Sequence, residues 1–321
     1  MKTIGIFPAA GGLGGSTYGH LLQHPEVQPD KVTLISRNPS KIPTSYSARG
    51  VRLLQASYES TPAELEAAFA GIQVLFLISY PSHVRDYRVK VQLPAIDAAH
   101  KAGVKHIFYS SLGFALPEET ESLAEVMQAH LVSEEHLQKL ADKDPTFSWT
   151  SIREGLYHES FPIYTSFWTL ENPVDEILIP HDGTGPGVSW VKRDELGEAS
   201  ASLIVEYATS SDPSTYPWNK RRVVLTGPKE WTLADTVKVL GNAVGREVRI
   251  KQIGIDEWVK LPQIISYFGE EGKARTWATA WDAIQAGETK FVSPTLAEIL
   301  GREPEAFEVT IGQLAKDVRG V

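Results

Sequence analysis

The chain has no cysteine among its 321 residues, which excludes disulfides, thiolate metal ligands and cysteine nucleophiles. That absence fits a reducing compartment. A block of lysine and arginine is also missing. The formal net charge is −9, and the short run Lys220, Arg221, Arg222 reads as the solvated edge of a strand rather than a nucleic-acid footprint. An acidic balance also opposes unaided binding to anionic membranes. The longest apolar stretches, such as Ile72–Tyr80, are far shorter than the roughly 20 residues a membrane-spanning helix needs. No leader-like hydrophobic region precedes the first strand, and no repeat or low-complexity stretch is present. These absences predict a soluble, cytoplasmic protein with no membrane partner and no direct nucleic-acid partner. What is there is ordinary for a globular chain: 42% hydrophobic and 22% charged residues, enough to bury a core without covalent staples.

The first half alternates between two periodicities. Thr3–Phe7, Lys31–Ser36, Val51–Gln55, Val74–Ile78 and Lys105–Tyr109 read as strands, the third of them alternating and nearer an edge. Val74–Ile78 is continuously apolar, as a strand covered on both faces should be. Helical segments lie between them: one from near Ser16, one opened by Thr61, Pro62 and Glu64 and stopped at Gly71, and one from about Arg85 to Ala102 with Pro94 as an expected kink. Strands and helices alternating at this spacing require right-handed crossovers, hence a Rossmann-type, doubly wound parallel α/β sheet. After about Thr150 the segments shorten and tryptophan and proline become more frequent. Helices open at Thr232 and near Ser293. The expected division is a dinucleotide-binding domain over 1–152. Residues 153–321 then form mostly a smaller α+β substrate lobe, with some segments returning to the sheet.

Between the first strand and the first helix lies Pro8–Gly15, with glycine at 11, 12, 14 and 15. A pyrophosphate approaching a helix N-terminus needs small residues there, and so does a turn that only permits close packing of helix on sheet. Pro8 occupies the place of the first glycine of the usual fingerprint. Its fixed φ near −65° requires either a different turn or a weaker site. At the end of the second strand, where an NAD-preferring site carries a carboxylate, the chain has Ser36, Arg37, Asn38, Pro39, Ser40 and Lys41. Arg37 and Lys41 either grip a 2′-phosphate, which makes NADP(H) the expected cofactor, or are solvated loop charges.

These features together resemble the NmrA-like family, a branch of atypical short-chain dehydrogenases/reductases that includes NADPH-dependent quinone reductases. The resemblance runs over nearly the whole chain. It is carried by Gly11–Gly14, Arg37–Lys41, His100–Leu112, Arg153–Tyr157, Val191–Asp194, and Leu225–Pro228 with Trp231–Leu233. It implies that Gly11, Gly12, Leu13 and Gly14 contact the pyrophosphate and that Arg37 and Lys41 read the adenosine phosphate. Ser57 stands near the adenine, where relatives often have Asp. Ile78, Ser79 and Tyr80 line the nicotinamide ribose, and Glu154, Gly155 and Tyr157 border the reactive end.

Short-chain dehydrogenases pair a Tyr with a Lys four residues on, the Tyr as proton donor. Val126–Lys139 contains no such pair. His130 stands where reductases of this superfamily carry the Lys. It is either a ribose ligand or proton donor, or a hydrogen-bonded packing residue. Ser111 either orients a substrate oxygen or caps a turn. Tyr157 is a second donor candidate or a core aromatic. Trp168, Trp190, Tyr267, Phe268, Trp277 and Trp281 either wall a flat substrate or belong to the core. Hydride transfer to a quinone needs no strong general acid, so the missing pair argues against simple ketone chemistry more than against redox chemistry. Three functions remain open at this level. The first is an NADPH-dependent oxidoreductase acting on a quinone, enone or related small molecule. The second is a non-enzymatic NADP(H) sensor with a protein partner, and the third a cofactor-free isomerase or cyclase.

Overall fold

The computed structural model describes residues 1–320. It has nine strands: β1 (Ile4–Phe7), β2 (Val32–Ser36), β3 (Arg52–Gln55), β4 (Val74–Ile78), β5 (His106–Leu112), β6 (Ser148–Glu154), β7 (Glu176–Ile179), β8 (Arg221–Leu225) and β9 (Arg249–Gln252). Seven form one sheet in the order β3-β2-β1-β4-β5-β6-β8, and β7 pairs with β9 in a second. Parallel pairs join β1 to β2 and β4, β2 to β3, and β4 to β5. The order reverses direction at β1, where the chain crosses from one half of the sheet to the other. This is the Rossmann-type architecture that the alternation predicts.

Burial follows position in the sheet. Every residue of β1 and β2 is buried, whereas β3, on the edge, is only partly covered. Phe7, Leu75, Leu77, Ile96, Ile107 and Trp149 share one apolar cluster between sheet and helices. Each such side chain contributes about 1.5–3 kcal/mol relative to exposure. Helix ends obey local chemistry. Thr61 and Glu64 form a reciprocal capping box ahead of Pro62–Phe69, and Thr232 caps Leu233–Val244, which ends at Gly245 in the left-handed region. The helix Arg85–Lys101 continues through Pro94.

Two boundaries differ from expectation. The first helix is Gly12–Leu21, a turn earlier than Ser16, because Gly11 is already an extended N-cap and Gly15 N–H donates to Gly11 O at 2.7 Å. The glycine turn is thus itself the first helical turn. The fifth strand runs on to Leu112, taking in Ser110 and Ser111. Arg222 also departs from the solvated-edge reading, since its Nε donates to the buried Glu134 at 2.7 Å.

The chain divides into two compact units, each continuous in space but not in sequence. The first comprises Met1–Ser111, Ala129–Arg153 and Arg193–Val223; the second comprises Leu112–Gln128, Glu154–Lys192 and Val224–Val321. Among the described residues, no helix is long and apolar enough to cross a membrane.

Candidate dinucleotide site

The site is built in the first unit from the C-terminal ends of β1, β2, β3 and β4, which a parallel sheet brings to one edge. After β1, Ala9 N–H donates to Ile35 O at 2.8 Å, tying the turn to β2. The Phe7–Pro8 peptide is cis, and no residue of the turn has positive φ. Proline therefore meets no demand for a left-handed conformation here, which removes the conflict that the fingerprint suggests.

Space, not φ, selects glycine in this turn. A Cβ on Gly14 would lie 2.5 Å from Ala9 O and 2.8 Å from Pro8 O, backbone atoms that cannot yield. A Cβ on Gly12 would lie 2.7 Å from Cζ of Arg193. Gly11 is exposed and would meet nothing within 4 Å. The first backbone N–H groups of the helix have no intrahelical acceptor and can receive a diphosphate. The cradle thus fits the group that its position implies.

Beside it is a pocket of about 300 Å³ lined in part by Pro8, Ala10, Arg37, Lys41, Ser57 and Tyr80. Arg37 and Lys41 are exposed on its rim, and the end of β2 carries no carboxylate. A phosphomonoester at that rim would meet two cations, with the carboxylate of Glu59 on the same pocket's wall. One wall residue escaped the sequence reading. Glu59, two positions after Ser57, lines the same pocket and accepts from Tyr87 Oη at 3.3 Å. Partial burial pushes its carboxyl up, but hydrogen bonds from Tyr80, Ser57, its own N–H and Tyr87 outweigh this and hold it below the usual range. Burial, with Glu59 as neighbour, pushes the Tyr80 phenol up to about 12. The signal was available, because every residue just past a parallel strand's C-terminal end falls on this edge.

The loop after β4 is held from beneath. Tyr58 Oη donates to Ile78 O at 2.7 Å, and Tyr80 N–H donates to Gln92 Oε1 at 2.8 Å. Gln92 Nε2 in turn donates to Tyr109 Oη (3.2 Å) and Ser133 Oγ (3.0 Å). His130 completes this buried chain. Arg88 Nη2 lies 2.6 Å from its Nε2, and Tyr109 Oη lies 3.1 Å from its Nδ1. A guanidinium only donates, so Nε2 must accept and Nδ1 must carry the proton. Burial, followed by Arg88 and Arg153, pushes the His130 pKa well below the ordinary value. His130 is therefore a neutral imidazole whose one proton goes to Tyr109, the arrangement of a packing residue.

Ser111 is equally committed. Its hydroxyl donates to Glu134 Oε1 at 2.8 Å, and that carboxylate also accepts from Ser151, Arg153 and Arg222. Burial pushes Glu134 up, and the Arg153 hydrogen bonds and charge bring it down below the usual range. Glu134 and Arg88 went unnoticed in the sequence, where neither stands in a recognisable motif.

Glu154, Gly155 and Tyr157 belong to the second unit. Tyr157 Oη donates to the buried Glu154 Oε2, and Gly155 N–H donates to Leu225 O at 2.8 Å. Within that unit the aromatic substrate wall is not found. Trp168, Trp190, Phe268, Trp277 and Trp281 are all at most 4% exposed, the last two packed about Trp258. Of the proposed wall, Tyr267 alone is exposed, at 54%, with its ring 4.5 Å from that of Phe167. Large indole surfaces are worth more buried together than presented to water.

The profile of the NmrA-like family matches residues 1–273. An NmrA-like family domain-containing oxidoreductase of Aspergillus flavus is 31% identical over 322 residues, covering 98% of this chain and 95% of that protein. Among solved structures, an NADPH-dependent quinone oxidoreductase of Escherichia coli, determined with NADPH, superposes with a TM-score of 0.77 at 24% identity, covering 97% of this chain and 99% of that one. A triphenylmethane reductase of a Citrobacter species, complexed with NADP(H), gives 0.73 at 24% identity with the same coverage. At these identities the structural likeness speaks for the fold.

Proposed function

This chain belongs to the NmrA-like family, and from that premise we propose that it is an NADPH-dependent oxidoreductase reducing a quinone, enone or related small planar molecule. One observation carries the reading. In a single unit, a glycine cradle that admits no Cβ at position 14 lies beside a pocket rimmed by Arg37 and Lys41 with no carboxylate at the end of β2. The Aspergillus relative named as an oxidoreductase supports it, as do the two structural neighbours determined with NADPH or NADP(H).

When bound, the cofactor supplies a hydride. The chain's own part is positional. Backbone N–H groups of Gly12, Leu13 and Gly14 hold the pyrophosphate, and Arg37 and Lys41 hold the 2′-phosphate. Ser57 borders the adenine. Tyr58 and Gln92 fix the loop of Ile78, Ser79 and Tyr80, with Tyr80 on the wall of the pocket that Arg37 and Lys41 rim. The protons of Ser111, His130 and Tyr157 are given to Glu134, Tyr109 and Glu154 respectively, so the favoured substrate is one that tolerates a developing oxyanion.

Calorimetric titration with NADPH, NADP⁺ and NADH, repeated on Arg37→Ala, tests the cofactor. A charge-assisted hydrogen bond of about 1.5–3 kcal/mol corresponds to about 10- to 150-fold weaker NADPH binding in the variant, with NADH unaffected. No binding of any dinucleotide to the unsubstituted protein overturns the proposal. NADPH oxidation across a panel of quinones and enones then tests the reaction. The committed protons also favour a second reading, a sensor that binds NADP(H) without turnover and changes its affinity for a protein partner. Equal affinity for NADPH and NADP⁺, with partner binding unchanged by either, counts against it.

A further inference from the structure

The pocket beside the glycine turn carries charges of both signs. Among the described residues that line it, only Arg37, Lys41 and Glu59 are charged. The cations follow β2, and the carboxylate follows β3, the neighbouring strand. All three belong to the first unit.

Opposite charges around so small a space ordinarily pair. Here the carboxylate is held by neutral groups instead. Tyr87 Oη donates to Glu59 Oε1 at 3.3 Å, and the hydroxyls of Ser57 and Tyr80 hydrogen-bond to the same carboxylate. Glu59 N–H donates to Ser57 Oγ at 3.2 Å, which fixes the backbone just past β3. The carboxyl lies below its usual range and is ionised at neutral pH. Neutral donors leave that charge in place, and 3.3 Å is long for an O–H donor to a carboxylate. Glu59 is exposed, so a ligand in the pocket reaches it.

The groups that hold Glu59 are themselves held. The Tyr80 ring meets Tyr58 and Tyr87 edge to face, with centroids 5.6 Å and 5.4 Å away. Tyr58 is buried, its ring 4.8 Å from that of Phe7. Its hydroxyl and Gln92 anchor the loop that carries Tyr80. The carboxylate is therefore in place before a ligand arrives, and little ordering is left for binding to impose.

An ionised carboxylate accepts hydrogen bonds and donates none. The pocket thus asks for one molecule with an anion for Arg37 and Lys41 and an N–H donor for Glu59. The adenosine half of NADPH meets both demands, because adenine carries an exocyclic amino group.

We infer that Glu59 selects the base of the dinucleotide, accepting from the exocyclic amino group of adenine while Tyr80 and Tyr87 hold its carboxylate in place. This rests on the cofactor reading above and adds a base-selecting residue to it. Hypoxanthine, with a carbonyl oxygen in place of the amino group, turns an acceptor towards the carboxylate and is disfavoured.

The test is calorimetry on the full chain with NADPH, NADH and the hypoxanthine analogue of NADPH. The unsubstituted protein should bind NADPH about 10- to 150-fold more tightly than the analogue, the worth of one charge-assisted hydrogen bond. In Glu59→Gln that preference should disappear, since an amide can turn either its N–H₂ or its carbonyl to the base. The same variant should weaken NADPH and NADH alike, because both carry adenine. Tyr80→Phe keeps the ring, removes the hydroxyl and should shrink the preference without abolishing it. Arg37→Ala, by contrast, should weaken NADPH and the analogue equally and leave the preference intact. No preference in the unsubstituted protein, or one that survives Glu59→Gln, overturns the assignment and leaves the cofactor reading standing. So does tighter NADPH binding by Glu59→Gln with NADH unchanged, which would make Glu59 a counter-charge to the phosphate. If the unsubstituted protein binds no dinucleotide, the cofactor reading falls and the base selection with it.

Discussion

Glu134 shows how much one buried side chain can be asked to hold. Its two oxygens accept from Ser111, Ser151, Arg153 and Arg222, and neither it nor the Arg153 side chain has any exposure. A buried ion pair is not in itself strongly stabilising, because desolvation offsets the attraction. Removing one partner is another matter, since the other charge is left buried and uncompensated. Glu134→Gln should therefore lose about 3–5 kcal/mol of unfolding free energy, read as a lower urea midpoint. A loss within a few tenths of a kcal/mol would mean that solvent or another carboxylate takes over the arginines. The pH dependence has a definite sign. The native carboxyl is held below its unfolded value, so its stabilisation is present above the unfolded pKa and is lost as pH falls through the native one. The variant should lack that part of the acid limb.

Among the elements, the pairing of the first helix with the helix Arg193–Thr209 is set by a single missing side chain. Gly197 lets Ser16 sit where a Cβ would be, and that closeness brings Arg193 over Gly12. Gly197→Ala should push the helices apart, costing about 1–3 kcal/mol as overpacking does, read as a lowered thermal midpoint. An unchanged midpoint would mean that the Ser16 side chain yields without moving either helix. Other elements were open to reading in advance because their signals are local. Thr61, Pro62 and Glu64 cap a helix through contacts within one turn, and β1 and β4 announce burial on both faces by their apolar runs. The start of the first helix was misplaced for a related reason. Glycines signal a turn in sequence, yet Gly11 as an extended N-cap leaves Gly12–Gly15 free to be helical.

For the whole molecule, four buried histidines predict the response to acid. His106 and His130 lie well below the ordinary histidine pKa, His158 at about 4 and His181 below the ordinary value, in each case chiefly because burial disfavours the charged form. Unfolding frees them to titrate near 6.5. Their contribution is thus full above about pH 6.5 and declines as pH falls towards the native values, by up to about 1.4 kcal/mol per pH unit for each histidine. Urea midpoints measured from about pH 7 to about pH 5 should fall accordingly. A flat profile would mean that the histidines are protonated in the native state or already neutral in the unfolded one.

The sequence by itself determined the parallel sheet, the glycine turn that opens its first helix, and the cations at the end of β2. Each depends on periodicity or on residues adjacent along the chain, and a parallel sheet then carries every strand's C-terminal end to one edge. Only the tertiary structure shows that His130 is buried between Arg88 and Tyr109, that Ser111 donates to Glu134, that the tryptophans named above are core, and that Glu59 lines the pocket beside the glycine turn. Hydrogen-bond partners and burial are set by neighbours from distant segments, and a close approach such as that of Ser16 to Gly197 exists only once two helices have packed.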